Sequence, residues 1–473
     1  VSFPKYPKYK DSGVEWLGEV PEHWSMVPVR GLARAGLDTF TDGDWIESPY
    51  IADEGVRLIQ TGNIGVGEYR EKGFRYVSEQ TFHLLRCTEV SPGDILICRL
   101  ADPVGRACSA PNLGARMITS VDVCILKIRR GVDSRYVVYF FSSSPYLAFM
   151  KSVSRGGTRE RVSRSFLGSV RFPLPSKKEQ DAIAAFLDHE TGKIDALIEE
   201  QRRLIELLKE KRQAVISHAV TKGLDPNVPM KDSGVEWLGE VPVHWELWKV
   251  SHAFRGIGSG TTPPSNQPQW YEEGTVPWVT TSELRESSIV DTKKRITERA
   301  LSEFSSLQMH PPGSLVIAMY GATIGRLGFL NVAATTNQAC CVLSRPEAVE
   351  PAFAFYWFLA FKDVVIRLYA SGGGQPNINQ ETIAALRVAA PSRQEQQSIA
   401  QFLHQNLAGM DALIEEAQSA ISLFQERRSA LISSAVTGKI DVRGWQAGVE
   451  SDEPELAMVA EEPAGYSGQG GAA

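Results

Sequence analysis

The sequence predicts an α+β protein: two α/β domains, related by pseudo-twofold symmetry, separated by two long antiparallel helices that form a coiled coil. Three observations predict it. Residues 10–24, KDSGVEWLGEVPEHW, return at 231–245 as KDSGVEWLGEVPVHW, with Glu22 against Val243 as the one difference. Residues 175–200, PSKKEQDAIAAFLDHETGKIDALIEE, align without a gap on 391–416, PSRQEQQSIAQFLHQNLAGMDALIEE. Each of these later blocks opens an apolar stripe of helical period. The chain is therefore duplicated: anchor peptide, variable domain, helical segment, then all three again.

Residues 1–175 hold the first anchor and variable domain, and residues 226–390 hold the second. Weaker echoes connect them. PGDILICRLADPVGR (92–106) matches PGSLVIAMYGATIGR (312–326), and SRGGTRERVS (154–163) matches ASGGGQPNIN (370–379). The runs RLIQTGNI, VPWVTTSEL, PGDILICR and PGSLVIAM have strand character beside turn signals. YVVYFFSSSPYLAFM and FAFYWFLAFKDVVIRLY read as buried helices.

The helical segments span 176–225 and 391–442. With Ile194 as heptad position a, the first stripe comprises Ile194, Leu208 and Val215 at a, Leu197 and Leu204 at d, and Ile198 and Ile205 at e. The second comprises Met410, Phe424 and Leu431 at a, Leu413 at d, and Ile414 and Ile421 at e. Each stripe turns polar near its end. Two such helices from equivalent halves bury best against each other, and pseudo-twofold symmetry makes them antiparallel.

The last segment, 443–473, holds six acids and one base and ends GYSGQGGAA, the composition of a disordered tail. Of the net charge of −6, this tail carries −5, leaving −1 for residues 1–442. Bulk charge therefore does not exclude a nucleic-acid-binding body. With 473 residues, 43% of them apolar, the chain suits two or three globular domains, and no apolar run is long enough for a membrane span. VSFPKYPKYK is basic but lacks the apolar core of a signal peptide. The six cysteines show no metal-ligand spacing and are expected as buried free thiols in a reducing cytoplasm.

Catalytic motifs are not apparent. GIGSG (256–260) runs into TTPP where a nucleotide-binding loop needs a helix. No GxxxxGK[ST] or HExxH occurs, and TTPP and HPPG (310–313) lack the Asn/Asp and aromatic flanks of an amino-methyltransferase motif. The expectation is a chain without catalytic residues, metal or bound cofactor.

The stronger candidates would bind. RGGTRERVSR (155–164) places Arg155, Arg159, Arg161 and Arg164 around two glycines, with Thr158 and Ser163 as hydroxyl donors. Such a loop suits phosphate, and equally suits a solvated surface. The matching loop keeps the glycines and substitutes the amides Gln375, Asn377 and Asn379, which suit base edges such as adenine's. QTGNI (60–64) and TTSEL (280–284) share Thr61 and Thr281, while Asn63 stands against Glu283. Arg106 and Arg326 each follow a glycine, as phosphate contacts or as structural ion pairs. Trp16, Trp24, Trp237 and Trp245 read as apolar anchors, with base stacking as the other use.

The repeated PxHW anchor, the GGT-type loop and PxxxEQxxIAxFLxxxxxxxDALIEE together resemble the specificity subunit of Type I restriction–modification enzymes, over nearly all of residues 10–442. The resemblance implies that each variable domain is a target-recognition domain reading one half of a bipartite, asymmetric target in double-stranded DNA. It implies that the helices space these domains and help dock two modification (methyltransferase) subunits, joined by restriction/translocase subunits. S-adenosylmethionine, ATP and Mg2+ would be bound by those partners and not by this chain. A helix over 191–221 would span roughly 45 Å, enough to set half-sites about one DNA turn, ~34–36 Å, apart. Two rivals stand beside this reading: an autonomous DNA methyltransferase or nuclease with an unrecognised active site, and a helical interaction scaffold without nucleic acid.

Overall fold

A computed structural model describes residues 3–154, 160–371 and 376–446. The chain forms two compact units, one of residues 1–199 with 421–473, the other of residues 200–420. Two long helices, α1 (Lys177–Lys222) and α2 (Arg393–Val436), each contribute to both units. α1 begins well before residue 191 and has 46 residues, which at 1.5 Å each is about 69 Å.

The two units are built from the same parts in the same order. In each, the repeated peptide folds into a two-stranded ribbon, Tyr9–Asp11 with Glu19–Pro21 and Met230–Asp232 with Glu240–Pro242. The reason is local: Asp11 accepts from the Gly13 amide and Asp232 from the Gly234 amide, both at 2.9 Å, and both glycines sit at positive φ. A further strand pair, Ser25–Pro28 with Arg171–Leu174 or Glu246–Lys249 with Arg387–Ala390, closes each variable domain onto the start of its helix.

Between these lie the sheets. The first unit has a four-stranded sheet in the order Phe40–Asp42, Val123–Leu126, Ile95–Cys98, Ala107–Ser109. The second has Phe254–Ser259, Cys340–Pro346, Leu315–Ala318 and Leu327–Leu330 in the same order, extended by Ser287–Ile289. A three-stranded sheet also recurs, centred on Val56–Ile59 in one unit and Val276–Val279 in the other, each with one parallel neighbour. The apolar run after residue 134 is broken into two helices, Ser134–Phe141 and Ser144–Val153, where three serines and Pro145 interrupt it. Its counterpart lacks the break and runs as one helix, Pro351–Tyr369. Trp16 stacks on Phe149 at 4.8 Å, and Trp237 packs edge-on to Trp357 and Phe361, so both act as apolar anchors. All six cysteines are buried and free. Among the described residues no helix is long and apolar enough to cross a membrane.

Within each unit α1 and α2 run antiparallel. In the first, Ile183, Phe186 and Leu187 share a core with Ile432, Ala435 and Val436, and Asp195 pairs with Arg428 at 2.8 Å. In the second, Ile216, Ala219 and Val220 share a core with Ile399, Leu403 and Leu407, and Arg212 pairs with Asp411 at 3.1 Å.

The seam corrects the heptad reading. Ile194, Ile198 and Ile205 are buried and Leu208 and Val215 half-buried; on α2, Met410, Ile414, Ile421, Phe424 and Leu431 are half-buried around buried Ala417. These positions alternate in steps of four and three, pairing a with e. Leu197, Leu204 and Leu413, placed at d, are 40–49% exposed. Because α1 and α2 are apolar over three positions per heptad, one position is left facing outward. At the C-terminal end Trp445 packs edge-on against Phe186 and Arg443 lies over the Tyr6 ring, 4.9 Å from its centroid. The acidic residues beyond, from 447 onward, lie outside the described residues.

This seam predicts an asymmetry between adjacent residues. Ile198→Ala should cost about 2 kcal/mol of stability, whereas Leu197→Ala should change it by less than about 0.5 kcal/mol. Urea denaturation of the full chain measures both, and equal losses would contradict the seam.

Candidate nucleic-acid interface

Each variable domain is fixed by the first turn of its long helix. Glu179 and Glu395 lie in that turn, where a carboxylate is favoured by the helix dipole. Glu179 is buried; its Oε1 accepts from Trp24 Nε1 at 2.9 Å and its Oε2 meets His23 Nε2 at 3.0 Å. Glu395 does the same for Trp245 and His244, at 3.1 and 2.9 Å. The next residue holds the opposite side. Gln180 Oε1 accepts from the Asp133 amide and its Nε2 donates to the Pro175 carbonyl; Gln396 repeats this with Glu350 and Pro391. The Glu-Gln dipeptide stands in both repeats, and that recurrence is the signal by which sequence could have singled it out.

On this support the arginine-rich segment meets the sheet. Residues 155–159, with Arg155, Thr158 and Arg159, lie outside the described residues, as does Gln375 in the second unit. After Glu160 comes Arg161; it bridges Leu100, and its half-exposed guanidinium lies 3.7 Å from Asp122. Arg164 is also half-exposed, donating to the Phe40 carbonyl at 3.2 Å and lying 3.6 Å from Asp42. Behind them the buried Arg99 joins the two aspartates, 3.0 Å from Asp42 and 3.8 Å from Asp122. The outer two guanidinium groups, beside two aspartates and the neighbouring Glu160, are half-exposed and suited to phosphate.

The second unit presents the same edge with different chemistry. Asn377 replaces Arg161, bridges Tyr320 as Arg161 bridges Leu100, and accepts from Ser371 Oγ at 2.9 Å. Its backbone amide donates to the Ser371 carbonyl at 2.9 Å, while its side-chain Nδ2 has no hydrogen-bond partner among the described residues. Arg326 is exposed.

Several other candidates are committed to the scaffold instead. Arg106 is buried and donates four hydrogen bonds of 2.7–2.9 Å, to the carbonyls of Ile64, Leu100, Pro103 and Thr61. It is neither a phosphate contact nor an ion pair, but a staple between two loops. Asn63 is buried, accepting from the Gln60 amide and donating to the carbonyls of Arg70 and Lys72. Its counterpart Glu283 accepts from the Thr280 and Lys293 amides. Both therefore close a short 3-10 turn rather than face a base. Ser163 and Asn379 are equivalent helix caps, accepting from the Phe166 and Thr382 amides. Thr61 and Thr281 begin the 3-10 turns and are half-buried. Sequence alone could not separate these uses, because polar residues in turns serve backbone and ligand equally well.

Burial raises all six thiols, Cys87 to about 11 and Cys108 to about 12, so none is a poised nucleophile.

The profile of the family described as the Type I restriction modification DNA specificity domain matches residues 92–207 and 242–422. The chain is 22% identical to the Type I restriction enzyme MjaIX specificity subunit of Methanocaldococcus jannaschii, over 93% of this chain and 98% of that one. It is 21% identical to the Type I restriction enzyme EcoKI specificity subunit of Escherichia coli, over 93% of both. Its fold is similar to a chain from a structural study of complex assembly and conformational transition of the type I R-M system, with a TM-score of 0.65 at 15% identity over 88% of this chain and 98% of that one. It is also similar to the HsdS subunit from Thermoanaerobacter tengcongensis, with a TM-score of 0.52 at 15% identity over 89% and 98%.

The staple role of Arg106 separates it from Arg326. Arg106→Ala, which removes four buried hydrogen bonds and the side chain that makes them, should cost on the order of 3 kcal/mol. Arg326→Ala should leave the melting temperature unchanged, as scanning calorimetry of the full chain can establish.

Proposed function

Because this chain belongs to the family of the Type I restriction modification DNA specificity domain, we propose that it reads double-stranded DNA for a multisubunit restriction–modification enzyme and is itself non-catalytic. The observation that carries this reading is one scaffold built twice with two unlike edges, Arg161 and Arg164 in one unit, Asn377 in the other. A shared scaffold places each edge alike, and different side chains on it select different bases. The target is accordingly bipartite and asymmetric. On chemistry alone, Arg155, Thr158 and Arg159 extend the first edge and Gln375 the second. The work is done on cellular DNA, hence in the cytoplasm.

The partners are two modification subunits, with restriction/translocase subunits joining them. S-adenosylmethionine, ATP and Mg2+ belong to those partners. The outward leucines supply a docking surface. Leu197 and Leu207 on α1 are 40% and 53% exposed, and the equivalent Leu413 and Leu423 on α2 are 49% and 64% exposed. Each unit thus presents one leucine of each kind, Leu197 with Leu423 in the first and Leu413 with Leu207 in the second, which suits two copies of one partner.

Sequencing of DNA methylated by the assembled complex should reveal two unlike half-sites around an unread spacer. Removing one heptad from each long helix should change the spacer and keep both half-sites; altered half-sites would count against the division of labour. Arg161→Ala with Arg164→Ala should weaken binding and lower the salt slope by about 0.9 for each phosphate left unneutralised. Leu197→Asp with Leu413→Asp should abolish capture of the modification subunits while the isolated chain melts normally; normal capture would refute the docking surface.

A further inference from the structure

Trp45 is 72% exposed, and the chain on either side of it is held rigidly. It follows the strand Phe40–Asp42, the outermost of its four-stranded sheet. Two residues earlier, Gly43 is packed against Thr119, and a Cβ there would collide with the Thr119 hydroxyl and with the carbonyls of Thr119 and Ser120. Asp44 bridges Ser120, and its carboxylate accepts from the Thr88 amide at 2.8 Å. Ile46, on the other side, turns inward and packs on a core with Val56, Leu58 and Ile118. Successive side chains of an extended segment point to opposite faces, so the inward Ile46 sends the indole of Trp45 outward. A large apolar ring held at high exposure on a fixed backbone has little entropy left to lose on being covered, the property of a binding anchor.

Its surroundings indicate what covers it. Asp42, three residues before Trp45 and so within ~10 Å of extended chain, carries Arg164 and Arg99. Ser120, bridged by Asp44, lies two residues from Asp122, which carries Arg161. The half-exposed guanidinium groups of Arg161 and Arg164 are thus held on aspartates that border the segment carrying Trp45, donors suited to the phosphates of a duplex whose base edges the indole would meet.

The second unit keeps the support and changes the tip. Gly260 makes the same crossing, against Thr336, with its amide donating to Thr336 Oγ1 at 3.1 Å. Two residues on, Thr262 occupies the place of Trp45 and donates to Gln338 at 2.6 Å in the open. A glycine crossing common to both units, below an exposed side chain that differs between them, is what a base-reading position requires.

We propose that Trp45, on the segment bordered by the aspartates that hold Arg161 and Arg164, is a specificity-determining residue that makes apolar contact with base edges in the half-site read by the first unit. This rests on the DNA-reading role above. The test uses the full chain assembled with its modification subunits, the methylation motif mapped for the unaltered complex, and a duplex carrying that motif. Trp45→Ala should lower affinity for this duplex roughly tenfold, the scale of one base contact, and relax one half of the motif while the other half persists. Trp45→Phe should retain most of both. Trp45→Gln, polar at an exposed position, gives the same reading should Trp45→Ala unfold. Affinity within about twofold of the unaltered complex together with an unchanged motif would overturn the proposal, as would relaxation of both halves or loss of the modification subunits instead of DNA. If the unaltered complex yielded no bipartite motif, the DNA-reading role itself would fail, a result distinct from a silent Trp45.

Discussion

One turn of helix holds each half of this protein together. A buried carboxylate at the start of α1, Glu179, takes the indole proton of Trp24 in a hydrogen bond and faces His23, while its neighbour Gln180 accepts from the Asp133 amide. Burying a carboxylate is tolerable only when its oxygens are satisfied, and here both are. The repeated peptide, the variable domain and the long helix meet at that turn, and Glu395 with Gln396 repeats it. Without it, the domain would be tethered to the helix but not oriented, and an unoriented reading edge has no fixed relation to a duplex.

The helix pair depends on the same duplication. Asp195 with Arg428 and Asp411 with Arg212 are one ion pair made twice, since Asp411 lies 216 residues after Asp195 and Arg428 lies 216 after Arg212. Partly exposed pairs of this kind add little stability, ~0–1 kcal/mol. Their contribution is to register: a slip by one heptad would part both at once. Stability resides instead in the isoleucines of the seam and in the cores at each end.

Much of this was legible in the residues because duplication gives a sequence its own alignment. The strands at Ile95–Cys98 and Leu315–Ala318 and the long helix Pro351–Tyr369 lie where their apolar runs place them. The seam was not legible, because three apolar positions per heptad leave two choices of facing pair and only the partner helix selects one. Side-chain roles were harder still. Asn63 and Arg106 carry the chemistry of readers, and only their burial shows that backbone groups consume it. Trp45 was hidden in the opposite sense: with no copy in the other half, nothing drew attention to it.

The grip of Gln180 and Gln396 falls on main-chain atoms, the amides of Asp133 and Glu350 and the carbonyls of Pro175 and Pro391. Every amino acid but proline supplies such an amide and all supply a carbonyl, so the glutamine's own grip does not read side chains, although Lys177 and Arg393 add ion pairs to Asp133 and Glu350. Mutational drift can rewrite the cargo wholesale without loosening the hinge pin. That is why two halves nearly identical at their joints have come to differ so widely in what they carry.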